Sequence, residues 1–363
     1  MRPSCRTQRT DTTGRRDGAP SLQANGLGDG VMNQITDVAA LPVEVRLSSY
    51  DHILVAFSGG KDSLACVLHL LDLGVPKEKI ELHHHDIDGR EASFMDWPCT
   101  PAYCRAVAAH FGIPIYFSWR EGGFLAEMLK ENARSKPVIF EQPDGSIGQA
   151  GGIRGNIDTR RKFPQVSPNL SVRWCSRFLK IEVLNAAICN QRRFDGKRLL
   201  VITGERGQES KNRLRYKTFE PNRADAIKRP VDHWRPIHKW MEADVWEIIR
   251  RYGIVPHPAY QLGWGRLSCR TCIFGSPNQW ATIRAVYPAI FERIAGYETE
   301  FGVTIKRNKR TVRQQADRGT PYAAALAQAD LAAVAQQDDW HGPVVTDSWE
   351  IPAGAFGENA GPV

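Results

Sequence analysis

Three observations predict an α/β fold: a doubly wound parallel sheet followed by a smaller helical, cysteine-bearing region. First, the apolar run Ile53-Leu-Val-Ala-Phe57 gives way to Ser58-Gly-Gly-Lys-Asp-Ser63 and then to Leu64, Val67, Leu68 and Leu71 at helical spacing. That is strand, glycine turn, helix. Second, strand-like and helix-like stretches alternate, as crossovers in a parallel sheet require. Third, 363 residues, 42% hydrophobic and 24% charged, suffice for one large or two modest domains of ordinary globular composition.

The elements follow in order. Residues 1 to about 45 are rich in Arg, Thr, Gly and Asp without apolar periodicity, and read as a disordered arm. A nucleotide-binding domain is expected over 46–235. Its first helix, 62–73, stops at Gly74 with Pro76 beyond. A second strand runs from Ile80 to His85 and delivers Asp86-Ile-Asp88-Gly89. A helix near 101–111 precedes a third strand, Ile113 to Trp119. The stretch 141–171, rich in Gly, Pro, Asn and Arg, reads as a long loop or insertion. A helix near 176–190 leads to strand Arg198 to Thr203, which ends in Gly204-Glu205-Arg206. The C-terminal region 236–322 holds a helix over 242–252, with Val245, Ile248, Ile249 and Tyr252 on one face, and the pair Cys269-x-x-Cys272. An Ala-rich segment and a loose tail fill 323–363.

Net charge is +8 and the pI is near 9.1, which favours an anionic ligand and permits nucleic acid. No apolar run reaches the length of a membrane span, and the N-terminal segment has no secretory h-region. Eight cysteines in so long a chain suggest thiols or metal ligands in a reducing, cytoplasmic setting rather than a disulfide scaffold.

The loop after the first strand carries the chemistry. Gly59 and Gly60 let backbone amides approach a ligand, and the helix behind adds orphan N–H groups and a positive dipole end. Lys61, Ser58 and Ser63 complete a phosphate cradle. The spacing G-x-x-x-x-G-K-[ST] of a Walker A loop is absent. Asp62 reads either as an N-terminal helix cap or as a Mg²⁺ ligand. Asp86 reads either as a nucleotide or metal contact or as a turn residue.

SGGKDS in this setting resembles the PP-loop of the ATP pyrophosphatases. Further motifs follow in order: Arg173-Trp-Cys-Ser-Arg-Phe-Leu-Lys180, Gly204-Glu-Arg-Gly-Gln-Glu-Ser210 with Arg213, Arg235-Pro-Ile-His-Lys-Trp240 with Asp244-Val-Trp246, Tyr260, and Cys269-x-x-Cys272. Over about residues 50–290 the chain resembles the phosphoadenosine phosphosulfate (PAPS) reductase family. It is also similar to the sulfurtransferase subunit of DNA phosphorothioation systems. The resemblance implies an adenine-nucleotide-binding sheet domain of the adenine nucleotide alpha hydrolase type. It implies a nucleotide site of Ser58, Gly59, Gly60, Lys61, Asp62, Ser63, Asp86, Lys180, Gly204, Arg206 and Arg213. Lys61, Asp62 and Arg206 would act in catalysis, with Lys180, Arg206 and Arg213 as a second anion clamp. The implied cofactors are ATP, or PAPS, with Mg²⁺.

The same resemblance implies a metal at Cys175, Cys269 and Cys272. Cluster-bearing members carry two adjacent cysteines at the first position, where this chain has Cys175-Ser176. Three ligands leave either an iron with an open site or a fourth ligand from Cys99, Cys104, Cys189 or His257. A [4Fe–4S] cluster ranks before zinc, and reduced, partly buried thiols remain the plain alternative. His83-His84-His85 cannot converge on one metal if they lie on a strand.

The expected activity is ATP-dependent adenylation of an acceptor with pyrophosphate release, coupled to sulfur transfer as one option. A true sulfonucleotide reductase is the second reading, but no cysteine follows Cys272 to serve as the usual tail nucleophile. A non-catalytic nucleotide-binding subunit is the third. Candidate partners are a nucleic acid, a sulfur-donor protein and a second copy of the chain. For nucleic acid, Arg154, Arg160, Arg161, Lys162, Arg173 and Arg177 cluster with Trp174 and Phe163.

Overall fold

The computed structural model describes residues 45–358, apart from 92 and 268. The expected arm over 1–45 and the last five residues of the tail lie outside the described residues, Val45 excepted. Arg46–Val363 forms one compact unit.

The first strand described is β1 (His52–Ala56), whose Ile53, Leu54 and Val55 are all buried, as a strand covered on both faces requires. Helix α1 (Lys61–Asp72) follows the Ser58–Gly60 turn. Next come β2 (Ile80–Asp86), α2 (Thr100–Phe111), β3 (Ile115–Arg120) and the short α3 (Gly123–Met128). β4 (Val138–Glu141) ends where the stretch expected to be a long loop, 141–171, begins, and β5 (Ile147–Ala150) lies within that stretch; the two form an antiparallel hairpin added to the edge of the sheet. Its turn residues are Pro143, Asp144 and Gly145. The helix expected near 176–190 has three parts: α4 (Trp174–Ser176), a π-helical turn (Arg177–Ile181) and α5 (Glu182–Cys189). Strands β6 (Leu199–Ile202), β7 (Phe219–Pro221) and β8 (Val231–Trp234) complete the sheet.

The strand order is β5-β4-β3-β2-β1-β6-β8-β7. The five central strands are parallel, and the outer β4, β5 and β7 are antiparallel. From β1 the chain winds outward through β2 and β3, then returns to β6 on the other side of β1. The order reverses between β1 and β6, and in an open α/β sheet the crevice beyond the carboxyl ends of such strands is where ligands bind. Ser58–Lys61 leaves β1 there, and Gly204–Arg206 leaves β6 beside it.

Helices α6 (Glu242–Arg251), α7 (Pro258–Gln261), α8 (Pro277–Val286), α9 (Pro288–Phe301), α10 (Val312–Ala316), α11 (Ala323–Ala327) and α12 (Ala329–Val334) form the C-terminal region. They share a large core in which Trp97, Trp174, Trp264, Trp280, Phe94, Phe124 and Phe291 are buried. The tail is not loose where it is described. Val345 bridges to Ile254, Gly354 donates to the Tyr260 carbonyl at 2.8 Å, and Glu358 accepts hydrogen bonds from Asn278 (2.6 Å), Tyr322 (3.0 Å) and Ser276. Among the described residues no helix is long and apolar enough to cross a membrane.

Candidate functional site

The loop between β1 and α1 is braced by its own hydroxyls. Ser58 Oγ lies 3.2 Å from Ser63 Oγ, Ser63 Oγ donates to the Gly60 carbonyl at 2.9 Å, and the Ser58 N–H donates to Ser63 Oγ at 3.2 Å. Gly59 has φ +74°, and a Cβ there would stand 2.8 Å from Cys104 Sγ. Only glycine meets both conditions without strain. Gly204 needs its missing side chain for another reason: a Cβ would stand 2.7 Å from the backbone of Asp62. This glycine lets the end of β6 touch the start of α1, which brings Arg206 to the phosphate loop.

Lys61 is 2% exposed. Its Nζ donates to the Gly265 carbonyl at 2.9 Å, lies 3.4 Å from Glu242 and 3.7 Å from Asp62, and faces the rings of Tyr260 (5.4 Å) and Trp246 (5.9 Å). Burial pulls its pKa down, but Tyr260, Asp62 and Glu242 outweigh that and hold the amine above its ordinary value. Asp62 meets Arg206 at 2.5 Å. Burial pushes its carboxyl up, yet Lys61 and Arg206 hold it below the usual range. Asp62 is thus the first-turn acid of α1 and an ion-pair partner, and Gly60, the N-cap residue, makes no side-chain cap.

Arg206 also donates to Gln208 Oε1 at 2.6 Å. Arg266 meets Glu209 at 2.8 Å, and Arg213 pairs with the same carboxylate. Lys61, Arg206, Gln208, Glu209, Glu242 and Arg266 line a cavity of about 160 Å³. Of these, Gln208, Glu209, Glu242 and Arg266 were not singled out from sequence. Gln208 and Glu209 sit in the Gly204–Ser210 motif, and Trp246 of the Asp244-Val-Trp motif packs on Lys61. Glu242 and Arg266 had no local signal.

The loop is partly covered by its own chain. The Tyr260 hydroxyl accepts from the N–H groups of Lys61 (2.9 Å) and Leu267 (3.1 Å), and Leu267 packs over Gly60. The Leu64 amide donates to the Gly60 carbonyl. A phosphate that uses the Lys61 amide therefore displaces the Tyr260 hydroxyl.

Asp86 acts in a turn: its Oδ1 accepts from the N–H groups of Asp88 (3.1 Å) and Gly89 (3.2 Å). Burial raises its pKa. Lys180, on the π-helical turn, keeps different company from Arg206 and Arg213. The residue is exposed, yet loss of water around its amine pulls the pKa down, and Cys269, Asp96, Cys175 and Cys272 outweigh that and hold it above its ordinary value. The same groups act on the thiols: burial pushes Cys175 up to about 11 and Cys269 well above its usual value. The three cysteines and Lys180 thus share one neighbourhood. Among the described residues no group of three or more His, Cys, Asp or Glu side chains stands arranged to hold a metal ion. The fit of these residues to a cluster rests on donor type and proximity: three soft sulfurs whose protons a bound metal would displace.

The residues considered for a fourth ligand have other partners. Cys99 Sγ and Thr100 Oγ1 lie 3.4 and 3.2 Å from His257 Nε2, and His257 Nδ1 caps α7 by accepting the Ala259 N–H at 3.1 Å. Cys104 lies against Gly59 and 3.5 Å from His84 Nδ1, and Cys189 accepts from Arg229 at 3.2 Å. His83, His84 and His85 have separate partners: Glu81, the Phe57 carbonyl and Ser118.

The basic–aromatic cluster near Trp174 does not offer rings for base stacking. Trp174 and Phe163 are 2% and 1% exposed. Arg160 lies over Trp174 and meets Glu127 at 2.7 Å, Arg161 pairs with Glu131 and Glu300, and Arg177 meets Glu182 at 2.7 Å.

Residues 155–274 match the phosphoadenosine phosphosulfate reductase domain, a range that starts after the Ser58–Ser63 loop. An uncharacterised 37.8 kDa protein of Escherichia phage 186 is 31% identical over 271 residues, 71% of this chain and 78% of the phage protein. An adenosine 5'-phosphosulfate reductase of Burkholderia cepacia is 26% identical over 98 residues, 27% of this chain and 35% of that enzyme. An uncharacterised protein of Methanocaldococcus jannaschii is 28% identical over 241 residues, 66% of this chain and 40% of its own length.

Proposed function

Because this chain belongs to the phosphoadenosine phosphosulfate reductase domain family, we propose that it is an enzyme that uses ATP to adenylate an acceptor and release pyrophosphate. The observation that carries this reading is the Ser58–Ser63 loop at the switch point of the sheet, opening on a cavity lined by Lys61, Arg206 and Arg266. In the proposed reaction an acceptor oxygen attacks the α-phosphorus, the α–β bond breaks, and pyrophosphate leaves with the electron pair. The amides of Asp62 and Ser63, at the start of α1, and the Arg206 and Arg266 guanidinia would take up the charge that develops on the leaving group. Arginine suits this role because its fork matches phosphate oxygens.

The lining also carries Glu209 and Glu242, and Asp62 is paired with the lining residue Arg206; each of these carboxylates is already engaged by a cation. This mixture suits a Mg²⁺-bound polyphosphate better than a bare anion, since carboxylate oxygens are the donors a hard cation takes. Cys175, Cys269 and Cys272 would hold an iron–sulfur cluster, which when bound would supply the sulfur chemistry of a transfer reaction.

Arg266 is the cleanest probe, since it lines the cavity and is not part of the α1 start. With ATP, Mg²⁺ and candidate acceptors the protein is expected to yield AMP and pyrophosphate. Arg266→Ala is expected to weaken ATP binding by about tenfold or more, the worth of one charged hydrogen bond. A wild-type protein that binds no adenine nucleotide ends the proposal. A reductase is the second reading, favoured by the Burkholderia relative, and predicts sulfite from adenylylsulfate with a thiol donor. The position of Cys104, buried behind Gly59 with its thiol pKa raised by burial, weighs against it.

A further inference from the structure

The segment Lys211-Asn-Arg-Leu-Arg-Tyr-Lys217 leaves the cavity wall directly after Glu209 and Ser210. Arg213 is held by Glu209, but Lys211, Arg215 and Lys217 are exposed and have no ion-pair partner among the described residues. Between them stand two exposed apolar side chains, Leu214 (67%) and Tyr216 (39%). The segment is nonetheless fixed. The Arg213 carbonyl lies 2.8 Å from His238 Nε2, and the Arg235 guanidinium donates to the Lys217 carbonyl at 2.6 Å. Arg235 also lies 5.2 Å from the centre of the Tyr216 ring and meets Glu205, next to Arg206, at 2.6 Å. A solvated loop would gain nothing from a ring held half in water by a guanidinium, or from three unneutralised cations in the short segment that follows the cavity residue Glu209.

We propose that Lys211, Arg215, Lys217 and Tyr216 form a docking surface for a single-stranded nucleic acid, whose backbone meets the cations and one of whose bases stacks on Tyr216. Alternating cations and an exposed aromatic ring are the two parts such a surface needs. Acting as the acceptor for adenylation rests on the function proposed above, but binding does not. The test therefore omits nucleotide, so that failure here leaves ATP binding untouched.

A fluorescently labelled oligodeoxythymidylate of about 20 nucleotides is titrated with the full chain across a range of NaCl concentrations. Each phosphate contact on a single strand contributes about 0.7 to the slope of log affinity against log salt. Replacing Lys211, Arg215 and Lys217 together by Ala should lower that slope by about 2 and weaken low-salt binding at least about tenfold. Tyr216→Ala should weaken binding roughly fivefold or more without changing the slope. The charge-keeping set Lys211→Arg, Arg215→Lys and Lys217→Arg should bind like wild type, which separates lost charge from lost fold. Arg223→Ala is the control: this exposed cation follows β7, whose pairing runs from Phe219 opposite Trp234 to Pro221 opposite Asp232, away from the carboxyl ends of the parallel strands. A triple variant that binds like wild type, or an Arg223→Ala loss of equal size, overturns the proposal. So does displacement of the strand by polyglutamate as readily, per charge, as by unlabelled DNA, which would point to an acidic protein partner.

Discussion

Lys61 shows what a motif conceals. Sequence assigns its amine to a phosphate, and the structure holds it between Asp62, Glu242 and the Gly265 carbonyl. Removing one member of a buried charged set costs more than the set contributes, about 3–5 kcal/mol. Lys61→Ala is therefore expected to lower stability by about that amount in urea denaturation, and Glu242→Gln in the same chain should restore part of it. Loss of activity in Lys61→Ala alone would confound folding with catalysis. Gly59 makes a similar point. Its identity is legible in SGGKDS, but one reason for it, the Cys104 sulfur behind it, lies 45 positions away and leaves no local mark. Lys180 was legible as a candidate anion contact by motif and the three cysteines as a group by resemblance; their shared neighbourhood was not, because residues 175–180 and 269–272 meet only in the fold.

Elements with strong periodicity were legible nearly to their ends. Helix α1 was expected over 62–73 and spans Lys61–Asp72; α6 was expected over 242–252 and spans Glu242–Arg251. The β4–β5 hairpin was missed because its strands are four residues long and β5 alternates only between exposed and half-exposed. Pro143-Asp144-Gly145 was its one readable sign, a turn signature between short strands. The hairpin is held by Phe140, which is buried against Val183 and Ala187 of α5. A Cβ on Gly148, paired across from Phe140, would stand 2.1 Å from that ring. Gly148→Ala should therefore detach the hairpin locally, with faster amide exchange over 138–150 while ATP affinity stays within about twofold, since off-site surface changes are usually worth under about 0.5 kcal/mol. Loss of nucleotide binding in this variant would mean that the edge of the sheet supports the site.

At the scale of the molecule, the parallel sheet was legible from alternation, whereas the strand order was not, since no local pattern states which strand β1 meets on its second side. The buried histidines set a pH response for the whole fold. Burial holds His84 and His233 down to about 4 and His257 down to about 3, and His69 and His85 are lowered as well. A histidine with a lowered folded pKa contributes stability that is complete above about 6.5 and is lost as pH falls toward the folded value. Asp96, held up to about 7 by burial, works in the opposite direction, as do Asp86, Asp88 and Glu298, whose carboxyls burial also raises. With the five imidazoles dominant, the urea midpoint is expected to fall between about pH 6.5 and 5.5; a flat midpoint there would mean that these rings are charged in the native state or that the carboxyls offset them. The strand order also reaches back to the ribosome. Leu54 in β1 pairs on one side with Glu81, soon available, and on the other with Val201. That second neighbour is synthesised roughly 150 residues later, a wait on the order of 10–30 s at ordinary elongation rates. Through that interval the most apolar strand of the nascent chain has one bare flank, so yield in a cell should depend on how fast translation runs and on what shields β1 until β6 arrives.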